Sequence, residues 1–200
     1  MTIRLHNSYI HCRIIFTIAL KSSILSAYLS PEYFPYNLSK HMRQQQKLEF
    51  EYLADRQEEV PCVIDWWRTI WADRMGNDVE LAAEQLRSSL SKTELPIHIL
   101  ALADGRPVGT AALKLQELGE LFPEYLYWLG SVFVEEESRG QEIASALSLH
   151  IVQLAKRMNL PHLYLQTIAR DGGLYANLGW QRIREFTHEN EHALLMLKKL

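Results

Sequence analysis

Residues 126–144, LYWLGSVFVEEESRGQEIA, constrain the chain more than any other stretch. Residues 126–134 are rich in aromatic and β-branched types up to Val134, which predicts a buried strand. Glu135, Glu136, Glu137 and Ser138 make an acidic turn. Beyond them Ile143, Leu147, Ile151, Leu154 and Met158 recur at steps of four, four, three and four. That spacing puts them on one apolar face of a helix, read here as opened by Arg139-Gly140. A strand–turn–helix junction gathers bare backbone N–H groups and the positive end of a helix dipole at one spot. Such a spot suits an anion, above all a phosphate.

The rest of the chain supplies the partners of that junction. Leu48, Phe50 and Tyr52 alternate with Glu49 and Glu51, a half-buried first strand. Pro61 opens a helix carrying Val63, Ile64, Trp67, Ile70 and Trp71 on one side. Asp78 caps a second helix with Leu81, Leu86 and Leu90 inward. Asp104-Gly105 sits between the apolar runs 97–103 and 108–115, a hairpin signal. The loop 116–124 holds Glu117, Glu120 and Glu124. After the central helix come a strand at 162–167, a short helix begun by Asp171-Gly172-Gly173 and ending at Gly179, and a last hairpin turning around residues 188–191.

Arg139-Gly140-Gln141-Glu142-Ile143-Ala144 resembles the pyrophosphate-binding signature of the GCN5-related N-acetyltransferases (GNAT), Arg/Gln-x-x-Gly-x-Gly/Ala. Its first and last positions match, and Glu142 stands where that family has glycine. Residues 174–180, LYANLGW, are similar to the family's second signature. The resemblance spans roughly residues 48–200 and the element order β-α-α-β-β-β-α-β-α-β-β. It implies an α/β (α+β) fold of the GNAT acyl-CoA N-acyltransferase type. That fold has a mixed, mostly antiparallel central sheet flanked by helices, with a splayed parallel strand pair at the cofactor site.

The resemblance also implies acetyl-CoA as cosubstrate and a primary amine of a small molecule or peptide as acceptor. The backbone of Val132, Phe133 and Val134 would pair with the pantetheine amides, and residues 139–144 would take the pyrophosphate. Tyr175 falls on the family's tyrosine that protonates the departing thiolate. A phenol, with an ordinary pKa near 10, stays protonated at neutral pH. Asn177 matches a position touching the cofactor tail. The family's histone-acetylating branch has a base on the fourth strand, where this chain has Trp128. The base is therefore sought among Glu124, Glu120, Glu117 and His188, with Glu124 taken first. In the family the first two helices flank the acceptor pocket. Trp66, Trp67 and Trp71 either line it or, as aromatics at helical spacing usually do, pack in the core.

Glu142 places a carboxylate near the pyrophosphate, a repulsion of about 1 kcal/mol at roughly 4 Å in bulk water. Together with the missing base, this leaves a second reading open: a degenerate acyl-CoA-binding sensor without turnover. A dinucleotide-binding Rossmann unit is excluded, because no GxGxxG follows an opening strand.

The net charge of −3 provides no general attraction to nucleic acid or to an anionic membrane. Cys12 and Cys62 form no CxxC pair, and the eight histidines no HExxH, so a reducing, cytoplasmic compartment and no metal are expected. A homodimer is an allowed assembly. Residues 1–41 stand apart, with four basic residues against one acidic, while the remainder has 17 against 23. Their apolar run 14–20, ended by Lys21, falls short of the roughly 20 residues a membrane span needs. They are expected to be an extension, disordered or preceding the native start, ahead of a domain at 42–200.

Overall fold

The computed structural model describes residues 47–75 and 78–200. The expected extension 1–41 lies outside them.

Seven strands form one sheet: β1 (Leu48–Tyr52), β2 (Ile97–Ala103), β3 (Arg106–Lys114), β4 (Trp128–Val134), β5 (His162–Thr167), β6 (Gln181–His188) and β7 (Glu191–Lys199). Their spatial order is β1-β2-β3-β4-β5-β7-β6. Every neighbouring pair is antiparallel except β4 and β5, which run parallel and meet at the single register pair Trp128–Tyr164. This is the expected mixed sheet with a splayed parallel pair.

Helices cover the sheet. The face formed by Ile97, Ile99, Ala101, Leu113 and Leu129 packs on α3 (Ile143–Arg157) through Ile143, Leu147, Ile151 and Leu154. The four-residue spacing read from the sequence is therefore the buried stripe of α3. On other strand positions, Leu100 and Leu102 meet α1 (Val60–Met75) and α2 (Val79–Ser89) through Val63, Ile64, Ala83 and Leu86. The Asp78 carboxylate caps α2, accepting from the Leu81 N–H at 3.0 Å. A short α4 (Gly173–Asn177) follows β5.

Two apolar residues depart from the expected inward faces. Ile70 is 54% exposed and Leu81 48% exposed. Neither belongs to the apolar cluster formed by Val63, Ile64 and Leu86, and Ala83 takes the inward place on α2. Trp71 sits at a kink with φ −120° and ψ 29°, where α1 leaves regular geometry.

Both hairpin turns have two consecutive residues in the left-handed region, which Asp, Gly and Asn favour and Glu189 does not. Asp104 and Gly105 have φ of 50° and 82°, and Glu189 and Asn190 have 50° and 66°. Two consecutive positive φ values give the two-residue turn whose twist matches the flanking strands.

Candidate active site

Strand β4 carries the local irregularities. It begins at Trp128 and not at Leu126, because Tyr127 turns out of extended conformation with φ 71°. The ladder to β3 then slips: Thr110 pairs Phe133 and Ala112 pairs Gly130. Ser131 and Val132 thus oppose the single residue Ala111, and Ser131 has φ 50°. This is a bulge, which bends the strand and leaves part of its backbone outside the ladder. On the other side of β4, pairing with β5 stops at Trp128, so the gap-side backbone beyond it has no strand partner.

Residues after β4 form a loop before the helix. The acidic stretch makes a 3₁₀ turn at Glu136–Ser138, held by Arg106–Glu135 at 2.6 Å. The helix starts at Ile143, not at Arg139-Gly140. Gly140 and Glu142 both have positive φ, 75° and 61°, and cannot continue a right-handed helix. The Arg139 side chain folds back, its Nε donating to Val134 O at 3.1 Å, and remains exposed. Gly140, Gln141 and Glu142 are exposed, and a side chain at Gly140 would meet nothing within 4 Å. The first internal acceptor at this end is Glu142 O, bonded by the Ala146 N–H at 3.0 Å. The N–H groups of Ile143, Ala144 and Ser145 have no carbonyl one turn back, as at any helix start. The loop and helix end are therefore open, rich in donors and fit for a pyrophosphate.

Glu142 gains a second meaning from its backbone. The family's glycine at this position matches a left-handed conformation, which costs a side-chain-bearing residue about 1–2 kcal/mol. Glu142→Gly is expected to raise the unliganded protein's stability by up to about 1 kcal/mol, after the entropy cost of glycine. It should also tighten acetyl-CoA binding roughly fivefold by removing a neighbouring charge worth about 1 kcal/mol. Denaturant unfolding and calorimetry on both proteins check the two effects separately. Unchanged or weaker affinity would mean that the carboxylate stays clear of the phosphates.

Across the sheet from α3 lies a cavity of about 620 Å³ between α1, α2 and the sheet. Ile64, Trp67, Leu86 and Leu115 form its apolar wall, and Gln85, His98, Lys114 and Ser131 its polar positions. Trp67 therefore joins this wall, packing its ring 5.7 Å from His98, while Trp66 stacks on Phe133 at 5.3 Å. Of the loop carboxylates, Glu117 turns in. A Cβ at Gly130 would collide with its carboxylate, and its Oε2 is 2.8 Å from Lys114 Nζ. Glu124 is exposed and does not line the cavity. It lies near Tyr164, whose phenol is raised by burial first, then by Tyr125 and Glu124. His188 pairs with Glu189 at the β6–β7 turn, 3.8 Å apart. Glu120 is exposed.

Among the described residues, three side chains have large shifts in proton affinity. Burial pushes the Tyr175 phenol up to about 12. Its ring packs edge-on against Trp180 at 6.2 Å, and Asn177 ends the same helix, exposed. Burial, then Glu59, Glu135 and Asp65, push the Cys62 thiol up to about 11, so it stays protonated and is a poor nucleophile. Burial, then Lys114, bring His98 down to about 4.

His98 and Lys114 escaped the sequence reading. The available signal was one histidine inside the otherwise apolar run of β2. His98 also makes stability depend on pH. Above the ordinary 6.5 it is neutral in both folded and unfolded chains and has no effect. Between 6.5 and about 4 only the unfolded chain takes the proton, so stability falls with falling pH, by about 3 kcal/mol in all. Urea unfolding at pH 7 and pH 4 should show a loss about 3 kcal/mol greater in the wild type than in His98→Leu. Equal losses would mean that His98 takes its proton freely in the fold.

No helix among the described residues is long and apolar enough to cross a membrane. No group of three or more His, Cys, Asp or Glu among them is arranged to hold a metal ion.

The chain is similar in fold to several solved structures. An aminoglycoside 6'-acetyltransferase type Ii has 18% identity and TM-score 0.58, over 76% of this chain and 96% of that one. A ribosomal-protein-alanine N-acetyltransferase from Brucella melitensis has 17% identity and TM-score 0.60, over 77% and 99%. The protein yncA from Salmonella typhimurium, solved with its cofactor acetyl-CoA, has 12% identity and TM-score 0.61, over 76% and 94%. No curated protein sequence matches the chain. Residues 60–180 match the family model for the acetyltransferase (GNAT) family, and this range runs from the start of α1 through β4, the loop 139–142 and α4. With that match over more than half its length and the sheet split at β4–β5, the chain belongs to the GNAT acetyltransferase family.

Proposed function

We propose that the chain transfers the acetyl group of acetyl-CoA to a primary amine by direct attack of the amine on the thioester. One observation carries this reading: the bulge at Ser131 borders the acceptor-sized cavity, and its strand flanks the unpaired β4–β5 gap. Cosubstrate and acceptor can thus meet across one strand.

Acetyl-CoA supplies the activated acetyl group. The N–H groups of residues 140–142 and of Ile143 and Ala144 hold its pyrophosphate, and Arg139 adds positive charge. The gap-side backbone within Val132, Phe133 and Val134 takes the amides of the pantetheine arm, and Asn177 touches its tail. Gap-side N–H groups stabilise negative charge developing on the carbonyl oxygen. Glu117, beside Gly130 and the cavity, takes the proton that the ammonium must lose, directly or through water. Neither glutamate lines the cavity, but Glu117 is half-buried against its Lys114 while Glu124 is exposed, so Glu124 is the weaker choice. Tyr175 donates a hydrogen bond to the departing sulfur. Cys62, held protonated, argues against an acetyl-cysteine detour.

The sensor reading rests on Glu142, whose side chain is exposed and leaves the neighbouring N–H groups open. The full chain with acetyl-CoA and a broad amine panel, read by free CoA, tests the proposal. Amine-stimulated CoA release is the expected result. Binding without stimulated release would favour the sensor, and absence of binding would sink both.

A further inference from the structure

The cavity's charge inventory limits what can occupy it. Among the described residues, Lys114 is the one charged side chain in its lining, and it is a cation. Its partner Glu117 is the nearby carboxylate, 2.8 Å away and pressed against Gly130. His98, buried to 4% exposure against Trp67, adds polarity without charge near neutral pH. An acceptor with one ammonium can place it by Glu117 and the bulge. A second or third ammonium would lie along Ile64, Trp67, Leu86 or Leu115, with no carboxylate among the described lining residues to meet it. An unpaired charge against such a wall costs far more than the wall returns. The same wall favours an apolar body, above all an aromatic one able to pack on Trp67.

Resting on the transfer reading above, we infer that the acceptor is a monoamine with an apolar, aromatic-sized body, and that polyamines are rejected. The acidic loop 116–124 does not offset this. Of its three carboxylates, Glu120 and Glu124 face solvent, and Glu117 is already matched by Lys114.

Phenethylamine, ethanolamine and spermidine are the probes, each with the full chain and acetyl-CoA. Phenethylamine should exceed ethanolamine in kcat/KM by roughly 10- to 100-fold, the span expected for burying a phenyl-sized group. It should exceed spermidine by at least about 10-fold. Gln85→Glu puts a carboxylate into the lining from an exposed position on α2, so the fold is retained. It should raise kcat/KM for spermidine severalfold and leave phenethylamine nearly unchanged. Spermidine matching phenethylamine in the wild type, or no gain for spermidine in Gln85→Glu, would overturn the inference.

Thermal shifts with the same amines separate this inference from the transfer reading. If no amine releases CoA, yet phenethylamine raises the melting temperature and spermidine does so only in Gln85→Glu, the acceptor class stands and transfer fails. If CoA is released but spermidine is preferred, transfer stands and the acceptor class fails. If no amine reacts or binds, both fail.

Discussion

Tyr175→Phe is expected to lower turnover about 100-fold while leaving acetyl-CoA affinity nearly unchanged. The substitution removes one oxygen and keeps the ring packed against Trp180. The size follows from the phenol's proton affinity. Burial raises it to about 12, against about 8.5 for a thiol. Complete transfer to the thiolate would be uphill by roughly 5 kcal/mol. On the proposed mechanism Tyr175 would therefore work by hydrogen bonding to sulfur as the bond to carbon lengthens, and the lower part of the 10²–10⁴ range for acid catalysis would apply. Binding and single-turnover rates on the same protein check this. Unchanged turnover with a competent acceptor would leave Tyr175 a packing residue. Lost affinity would make its hydroxyl a cofactor contact.

Trp128→Ala should cost about 3–5 kcal/mol of stability and lower the melting temperature by about 10 °C. Trp128 is fully buried with Leu118, Phe122 and Leu195, and its indole N–H donates to Tyr125 O at 2.5 Å. Alanine leaves a cavity and an unpaired carbonyl at the sole register pair between β4 and β5. Trp128→Phe should be milder, since it keeps most of the volume. Urea unfolding of both variants gives the values. A loss below about 1 kcal/mol in Trp128→Ala would show that neighbouring rings close the space.

Periodic features were legible in the sequence and local backbone reversals were not. The apolar stripe of α3, the β5 range and the Asp104-Gly105 turn follow from spacing and side-chain type, which the chain displays directly. The positive φ of Tyr127, Ser131 and Glu142 belongs to residues whose types do not announce it. Hence β4 starts later than its composition suggests, and α3 later than the signature suggests. Glu142 was weighed by its charge alone, although its backbone explains the usual glycine. Sequence put Glu124 first among the loop carboxylates, because what distinguishes Glu117 is the bare α-carbon of Gly130, thirteen positions away and brought beneath it by folding. Ile70 and Leu81 follow the helical pattern yet stay exposed. A pattern marks a face but does not say how far the surface beneath it extends.

The split at β4–β5 gives this sheet an edge in its interior. Four strands stand on one side of it and three on the other, joined by one bridge and by the helix packed across them. An ordinary rim edge accepts any extended chain, whereas this one is walled on two sides and admits only something narrow, elongated and amide-bearing. A guest that fits acts as a keystone. Were its hydrogen bonds to run to both sub-sheets at once, occupancy and cohesion of the fold would become one quantity. At a ligand concentration 100 times the dissociation constant, that linkage is worth about 2.7 kcal/mol. A cell rich in such a guest would therefore hold a sturdier molecule than a starved one.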